Sequence, residues 1–345
     1  MLTLVPGVIG GSETYARSLA RALAEHGTLE YRALVSILAP DAGDGLETVV
    51  VREYRAGTTP GQRIRAMARA SARSGPLRAY LSGLDVVHFP LTVPVPPVER
   101  AAALTLHDVQ HRDLPKHVSL PERSFRALAY DRAARRAAAV IVPSAFVRAR
   151  AIELLGLQPE RVHVIHHGID HDRFSPGEGP REPFLLYPAK GWPHKNHPFL
   201  FEGFARLRRE RPELRLVLTG YEGEAPDGVD VRGRVPAAEL LRLYRRAACL
   251  VFPSLYEGFG QPLLEAMACG CPVAASNTAA IPEICGNAAV LFDPYDPDAI
   301  AASVLDALKR TDELRELGIA RSACFTWAET ARRHEAVYRS LGGLT

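Results

Sequence analysis

One ten-residue stretch, Tyr256–Glu265, combines two carboxylates with a glycine-rich turn. It reads Tyr-Glu-Gly-Phe-Gly-Gln-Pro-Leu-Leu-Glu and follows the apolar run 250–254, which predicts a buried strand. Pro262 suits the first turn of a helix, so the backbone N–H groups of residues 259–263 should point into the preceding loop. Because such N–H groups attract an anion or a hydroxyl oxygen, the sequence predicts a ligand cradle here.

The two carboxylates of this stretch, Glu257 and Glu265, are separated by seven residues. One would lie in the loop and the other near the start of the helix. Carboxylates accept hydrogen bonds, which suits the hydroxyl groups of a sugar or a ribose. A turn role for Glu257 and a helix-dipole role for Glu265 are structural alternatives, but they leave the Gly258-Phe259-Gly260 turn unexplained.

Two of the four lysines in the chain, Lys190 and Lys195, lie five residues apart. They occupy a predicted loop between the strand 184–187 and a helix. Two cations there can converge on a diphosphate and neutralise the charge of a leaving group in place of a metal. The alternative is a solvated basic loop, which Trp192 and the neighbouring prolines make less favourable because they stiffen the segment.

The first half of the chain offers two further candidates. Gly10 and Gly11 lie between a predicted strand, 2–5, and a helix that should begin near Ser12. A glycine turn before a helix can admit a phosphate, although an ordinary turn with Ser12 as the helix cap fits as well. His107 ends the predicted strand 102–106 and could donate to a sugar hydroxyl or a phosphate. The alternative is a loop histidine next to a capping aspartate.

Short apolar runs alternate with helical patterns along the chain, which predicts an α/β protein with parallel sheets. The turn-forming stretch 171–183 divides it into two doubly wound domains, 1–170 and 184–325, that face each other across a ligand cleft. A last helix, 326–345, should pack back on the first domain. Continuous helices are also predicted at 63–81 and 122–138. The strand 2–5 is short, which indicates either a brief strand or a start site placed too late.

The composition is that of a folded protein: 47% of its 345 residues are hydrophobic and 23% are charged. A net charge of +3 does not indicate a nucleic-acid partner. The five cysteines lack the spacing of a zinc site and suggest a reducing compartment. No apolar run approaches the roughly 20 residues of a membrane span. We therefore expect a cytoplasmic protein with no cofactor and no metal.

Taken together, these motifs resemble the retaining glycosyltransferases of family 4, which have the two-domain GT-B fold. The resemblance covers essentially the whole chain, and the glutamate, seven-residue, glutamate pattern is its most specific part. Gly10 and Gly11 match the family's N-terminal glycine turn and His107 its strand-end histidine. His167 stands where the family usually has asparagine before glycine, and Lys190 replaces the usual arginine. The replacement keeps the charge but loses the bidentate geometry.

The resemblance implies a role for each matched residue. Lys190 and Lys195 would bind the diphosphate of a nucleotide sugar, with help from Gly11. Glu257 and the amides of Phe259 and Gly260 would hold the donor hexose, and Glu265 the ribose. Transfer to a hydroxyl of a glycan, a glycolipid or other lipid-linked acceptor, or a small-molecule acceptor would retain the anomeric configuration without a metal. GDP-mannose is the first expectation for the donor, and UDP- and dTDP-sugars are alternatives.

Other functions remain compatible with the sequence. A nucleotide-sugar 2-epimerase would share the donor site but would convert the donor without an acceptor. A catalytically silent carbohydrate-binding protein would share the fold, although the intact His107, Lys195 and Glu257 argue against it. The segment 62–82 carries five arginines and no acidic residue, so it could also contact the inner face of a membrane. A solvated helix face is the alternative for this segment.

Overall fold

The computed structural model describes residues 1–8, 10–98 and 101–344, and only the backbone of Pro60. Ile9, in the predicted glycine turn, lies outside them. The chain divides into two compact units: unit 1 contains Met1–Gly168 and Trp327–Thr345, and unit 2 contains Ile169–Thr326. The predicted linker 171–183 is part of unit 2, where Phe174 is buried. The stretch therefore lies inside unit 2, and the chain passes from unit 1 to unit 2 between Gly168 and Ile169.

Unit 1 has parallel strands in two separate sheets across its described residues. The sheet orders are β1-β2 and β3-β4-β5-β6. The strands are β1 (Arg32–Val35), β2 (Glu47–Val50), β3 (Val87–Phe89), β4 (Ala102–Thr105), β5 (Ala139–Val142) and β6 (Val162–Val164). The helices are α1 (Gly11–His26), α2 (Pro60–Ala72), α3 (Gly75–Ala79), α4 (Gln110–Asp113), α5 (Leu120–Arg126), α6 (Arg132–Arg136) and α7 (Ala145–Leu155).

Three predicted elements of unit 1 are wrong in detail. Leu2, Leu4 and Val5 are buried, but residues 2 and 3 form a turn in which the Leu4 amide donates to the Met1 carbonyl, and no strand is assigned to residues 2–5. The predicted helix 63–81 is divided between α2 and α3, because Pro76 cannot lie inside a helix and instead occupies the first turn of α3. The predicted helix 122–138 is interrupted by a π-helical turn, Ala127–Asp131, between α5 and α6.

Unit 2 contains one parallel sheet with the strand order β12-β11-β10-β7-β8-β9. Its central strands are buried on both faces, which is why they read as continuous apolar runs. The strands are β7 (Glu182–Pro188), β8 (Arg215–Thr219), β9 (Val229–Val231), β10 (Ala247–Phe252), β11 (Val273–Ser276) and β12 (Val290–Phe292). The helices are α8 (His197–Glu210), α9 (Ala237–Arg246), α10 (Gln261–Ala268), α11 (Ile281–Cys285), α12 (Pro297–Lys309) and α13 (Thr311–Ala323).

The strand order of unit 2 reverses between β7 and β10. From β7 the chain continues to β8 on one side, and from β10 it continues to β11 on the other. The loops that leave two such strands diverge and open a crevice beyond the carboxyl ends of the strands, where ligands bind in open α/β sheets. The loops after β7 and β10 contain Lys195 and Glu257, so the fold places both residues at this point.

The last helix, α14 (Trp327–Gly342), belongs to unit 1 and packs against α1. Its buried residues Ala331, Val337 and Tyr338 join the core cluster that includes Leu19 and Leu23 of α1. Across the described residues, every helix is too short or too polar to cross a membrane.

Candidate functional site

The loop after β7 holds Lys195 in a fixed backbone position. Asn196 has a left-handed backbone conformation with φ 60, and its side-chain amide donates to the carbonyls of Pro253 at 3.2 Å and Pro294 at 2.7 Å. The hydroxyl of Tyr187 donates to the carbonyl of Lys195 at 2.7 Å. Asn196 and Tyr187 are both buried, so these hydrogen bonds stabilise one conformation of the loop.

Lys195 and Glu257 form an ion pair between the loops that follow β7 and β10. The Nζ–Oε1 distance is 2.5 Å, and the side chains are only 13% and 14% exposed. Lys195 Nζ also lies 5.7 Å from the ring centroid of Phe252. The amide of Leu255 donates to the carbonyl of His194 at 2.8 Å, which ties the two loops together. Because water is largely excluded, the charges act on each other and on a ligand more strongly than on an open surface.

Lys190 lies earlier in the loop after β7 and is exposed. Its Nζ is 5.1 Å from the ring centroid of Trp192, a cation–π distance, and Trp192 is itself 49% exposed. Among the residues that the structure describes, Lys195 therefore pairs with a carboxylate and Lys190 does not. A lysine on an exposed ring can reorient toward an arriving anion at small cost, because it leaves no buried partner.

The start of α10 presents the predicted glycine turn. Gly260 caps the helix with φ 105, and a Cβ at this position would come within 2.8 Å of the Leu263 side chain. The backbone conformation favours glycine, whereas the Leu263 methyl group, at the end of a flexible side chain, could move aside. Phe259 is buried and contacts Phe325 edge to face at 6.0 Å. These contacts fix the backbone of the turn, including Gly258, beside the Lys195–Glu257 pair.

Glu265 lies one turn into α10 and accepts a hydrogen bond from the hydroxyl of Tyr244 at 2.8 Å. Burial raises the pKa of Glu265, while the Tyr244 hydrogen bond and the charge of Arg173 oppose that rise. Tyr244 is fully buried on α9 and orients the carboxylate. The contact of Tyr244 with Glu265 could not be predicted from the sequence, because the two residues lie on different helices, 21 positions apart.

A third loop, after β11, also reaches the site. The hydroxyl of Thr278 donates to the carbonyl of Ser254 at 3.3 Å, and the amide of Ala280 contacts the carbonyl of Glu257 at 3.4 Å. Ala279 has φ 55, which is uncommon for a residue with a Cβ and is often found at functional sites. Sequence reasoning missed this loop, although the polar run after a buried strand could have indicated it.

Unit 1 contains the other predicted residues. Gly10 caps α1 with φ 57 and ψ −128, a conformation that glycine adopts and other residues avoid. Helix α1 begins at Gly11, next to the predicted start near Ser12, and Gly10 rather than Ser12 is its N-cap. A Cβ at Gly11 would meet nothing within 4 Å, so the packing of the protein does not itself require glycine here. The space beside Gly11 remains open.

His107 lies at the carboxyl end of β4, where its Nε2 donates to the carbonyl of Pro90 at 2.9 Å. Burial lowers its pKa, so the ring is neutral near pH 7 and Nδ1 is an acceptor. A donor role toward a sugar, as expected from the sequence, does not fit this tautomer. Asp108 does not set the tautomer either, because its carboxylate accepts from Arg126 at 3.2 Å and from the Gln110 amide at 3.0 Å.

Beside His107 lies a buried chain of hydrogen bonds that the sequence did not reveal. His334 Nδ1 lies 2.7 Å from a backbone carbonyl and must donate to it, so its Nε2 accepts from the Tyr15 hydroxyl at 2.8 Å. Tyr15 then accepts from Thr105 at 2.9 Å, and Thr105 accepts from His88 at 2.8 Å. His88 accepts in turn from Tyr338 at 2.8 Å. Every donor has an acceptor while both histidines stay neutral, and burial lowers the pKa of His334 to about 4.

His167, which replaces the asparagine of the resemblance, contacts the same cluster. Its ring stacks on Trp327 at 6.4 Å and lies 4.5 Å from the ring centroid of Tyr15. Burial lowers the pKa of His167 well below its usual value. In this structure His167 is therefore uncharged near pH 7 and packs as an aromatic ring.

Two family models together match most of the chain. The model described as Glycosyltransferase Family 4 matches residues 9–173, and the model described as Glycosyl transferases group 1 matches residues 168–321. The boundary between the two matches falls near Gly168, where unit 1 ends and unit 2 begins.

Two curated proteins and one solved structure illustrate the similarity. O-antigen chain mannosyltransferase B of Escherichia coli is 29% identical over 71% of this chain and 71% of its own length. MMP alpha-(1->4)-mannosyltransferase of Mycolicibacterium hassiacum is 36% identical over 53% of this chain, and the match spans 49% of that relative. HepE of Anabaena, solved with UDP-glucose, has a TM-score of 0.71 at 18% identity and covers 99% of this chain and 98% of its own.

Proposed function

The chain belongs to glycosyltransferase family 4, and we propose that it transfers a hexose with retention of anomeric configuration and without a metal. The donor is a nucleotide diphosphate sugar, and the acceptor is a hydroxyl group of a glycan or a lipid-linked glycan. One observation carries the proposal: the Lys195–Glu257 pair lies at the reversal of strand order in unit 2. Ligands of open α/β sheets bind at that point.

Lys195 provides the charge that the leaving group requires. When the bond between the sugar C1 and the phosphate oxygen breaks, negative charge develops on the diphosphate. The Lys195 ammonium is held in place beforehand and is largely shielded from water, so it stabilises this charge without reorganising. Lys190 reaches the same diphosphate from the exposed side. A new bond forms between C1 and the acceptor oxygen, and the acceptor's proton passes to the leaving phosphate.

Glu257 has a second role besides orienting Lys195. Its Oε1 contacts the ammonium at 2.5 Å, and a carboxylate has several further acceptor positions. The remaining positions suit the hydroxyl groups of the donor hexose, as does the turn at Gly258–Gly260. Glu265, oriented by Tyr244, suits the two ribose hydroxyls. These assignments follow the roles expected from the sequence.

GDP-mannose is the donor that we propose. The support is that two relatives are named as mannosyltransferases, at 29% and 36% identity. A UDP-sugar is the competing possibility, since HepE was solved with UDP-glucose. The residue roles proposed above cover the diphosphate, the hexose and the ribose of the donor, but not its base. A binding assay must therefore identify the base.

The proposal is tested by following donor consumption with GDP-mannose and UDP-glucose, each with and without a mannose-terminated oligosaccharide. We expect GDP release that depends on the acceptor, an α-anomeric signal in the NMR spectrum of the product, and no change after EDTA treatment. Quantitative conversion of the donor without acceptor would instead identify a 2-epimerase. A β-linked product, or activity lost with EDTA and restored by a divalent cation, would contradict retention or metal independence.

Donor affinity should depend on pH through Glu265. The ribose hydroxyls need the ionised carboxylate, and burial raises its pKa above the usual value of about 4.3. Affinity for GDP-mannose should therefore begin to fall at a higher pH than an ordinary glutamate would produce. Calorimetry between pH 7.5 and 4.5 measures this dependence, and GDP-mannose has no titrating phosphate in that range.

Two variants provide controls for this titration. Glu265→Gln should bind more weakly at pH 7.5 and show little pH dependence. Tyr244→Phe should move the midpoint to higher pH, because it removes a hydrogen bond that lowers the pKa of Glu265. An unchanged titration in Glu265→Gln would show that another group controls affinity.

The Gly11→Ala variant tests whether Gly11 contacts a ligand, because the substitution should change activity without lowering stability. A Cβ there meets nothing within 4 Å, and alanine favours a helix by about 0.5–1 kcal/mol over glycine, so the melting temperature should not fall. If the backbone of Gly11 lies against the donor phosphate, the methyl group should lower kcat/KM by about tenfold, or about 1.4 kcal/mol. Gly61→Ala is the matched control, since a Cβ at Gly61 in α2 also meets nothing within 4 Å. Equal activities of both variants would argue against a ligand at Gly11.

A further inference from the structure

Arg173 lies near Glu265, the candidate ribose-binding carboxylate. Its exposed guanidinium rests on a buried ring, with the guanidinium carbon 4.8 Å from the ring centroid of Phe174. The Phe174 ring meets the ring of Tyr244 edge to face at 6.1 Å, and the Tyr244 hydroxyl donates to Glu265 at 2.8 Å. A continuous series of contacts inside unit 2 therefore leads from Arg173 to the carboxylate.

The charge of Arg173 acts on Glu265 as well. Burial raises the pKa of Glu265, and the Tyr244 hydrogen bond and the charge of Arg173 oppose that rise. In the described part of the chain, the Arg173 side chain pairs with no carboxylate and makes one hydrogen bond, from Nη2 to the carbonyl of Ala237 at 3.5 Å. This bond is too long to be strong, so the guanidinium can turn its N–H groups toward a ligand.

The backbone that carries Arg173 is held on both sides. Its amide donates to the Asp170 carboxylate at 3.1 Å, and its carbonyl accepts from Arg245 at 3.5 Å. Arg245 also donates to the carbonyl of Ser175 at 2.8 Å. Because the backbone is held and the Phe174 ring lies under the guanidinium, a ligand that binds this side chain has less motion to restrict.

The base of a nucleotide is bonded directly to its ribose, so a ribose on Glu265 places the base within reach of a side chain near that carboxylate. Guanine carries two hydrogen-bond acceptors, O6 and N7, on one edge, and two parallel N–H groups of an arginine fit them. The same edge of uracil offers the single acceptor O4, and adenine places a donor, the N6 amino group, next to N7. Among these bases, guanine is therefore the one that an arginine recognises with two hydrogen bonds.

We propose that Arg173 selects the base of the donor by donating two hydrogen bonds to O6 and N7 of guanine. This selection rests on the proposed function, because the position of the ribose on Glu265 is part of that proposal. Arg173 touches the base and not the reacting atoms, so it determines which nucleotide binds rather than how fast the bound donor reacts. Replacing it should change the affinity for guanine nucleotides and leave kcat nearly unchanged.

Calorimetry with GDP, UDP and 7-deaza-GDP tests the proposal through the ratio of the UDP and GDP dissociation constants. We expect the unaltered protein to bind GDP at least tenfold more tightly than UDP, and Arg173→Ala to lower this ratio about tenfold, the scale of one bidentate contact to guanine. UDP carries the same ribose and diphosphate, so the ratio cancels any effect of the substitution on Glu265 or on folding. In 7-deaza-GDP a carbon replaces N7, and Arg173→Ala should weaken its binding less than that of GDP.

Two further variants make the result specific. Arg173→Lys keeps the charge but loses the paired N–H groups, so it should recover little of the preference for GDP. Arg209→Ala alters an exposed arginine at the end of α8 in the same unit and should leave the ratio unchanged.

Each other result would overturn the proposal. An unchanged ratio in Arg173→Ala, with GDP and UDP weakened equally, would show that Arg173 contacts the ribose or the diphosphate. Base selection would then fail while the proposed function stands. Tighter binding of UDP than of GDP by the unaltered protein would exclude guanine as the selected base, and equal losses of GDP and 7-deaza-GDP affinity in Arg173→Ala would exclude the contact to N7. If neither GDP nor UDP binds the unaltered protein, the proposed function fails together with base selection.

Discussion

Lys195→Ala should lower kcat by about 100- to 1,000-fold, the loss found when one preorganised donor to a developing anion is removed. The reason is that Lys195 lies in a largely shielded position, 13% exposed, and its ammonium is already oriented by Glu257. The charge on the diphosphate grows as the sugar departs, so kcat should fall more than KM rises. Steady-state kinetics with GDP-mannose and a mannose-terminated acceptor measures both constants.

Lys309→Ala is the matched control, because Lys309 is an exposed lysine of the same unit at the end of α12. It should leave kcat and the melting temperature unchanged. Lys195→Arg keeps the charge but not the geometry and should recover part of the activity. A loss confined to KM, or a comparable loss in Lys309→Ala, would show that Lys195 does not stabilise the leaving group.

Glu257→Gln should lower turnover without weakening the binding of the nucleotide alone. The glutamine cannot neutralise Lys195 and accepts fewer sugar hydrogen bonds, so turnover should fall by about 10- to 100-fold, or roughly 1.4–2.7 kcal/mol. Binding of GDP without a sugar should stay the same or strengthen, because the Lys195 ammonium is released from its 2.5 Å pairing. Calorimetry with GDP and kinetics with GDP-mannose separate these effects.

Two comparisons make the Glu257 result specific. Glu202→Gln alters an exposed glutamate of α8 in the same unit and should change neither quantity. The double variant Lys195→Ala/Glu257→Gln should lose less activity than the product of the two single losses, because contacting residues act as a unit. If the activity loss of the double variant equals the product of the two single losses, Lys195 and Glu257 do not function together.

Much of the framework of the candidate site was predictable because its signals are local. Apolar runs marked β7 and β10, and Gly260 and Pro262 marked the turn into α10. Helix α12 was predicted with its observed bounds, Pro297–Lys309, because Asp296 caps it and Pro297 begins it. In each case residues within one turn of the boundary determine it.

What could not be predicted depends on contacts that are distant in sequence. The Lys195–Glu257 pair joins residues 62 positions apart, and only the strand order places their loops together. Tyr244 meets Glu265 across two helices, and the Pro90 carbonyl, not the adjacent Asp108, orients His107. The strand predicted at 2–5 failed for a related reason: a buried apolar run becomes a strand only if it pairs with an edge.

The central claim, that the donor binds where β7 and β10 end, is tested most directly by hydrogen exchange with and without GDP-mannose. We expect slower exchange in peptides that cover residues 190–196 and 256–265, and loss of that protection in Lys195→Ala. The same experiment with UDP-glucose reports on donor choice. Protection confined to unit 1, or protection of the two loops that survives in Lys195→Ala, would contradict the account.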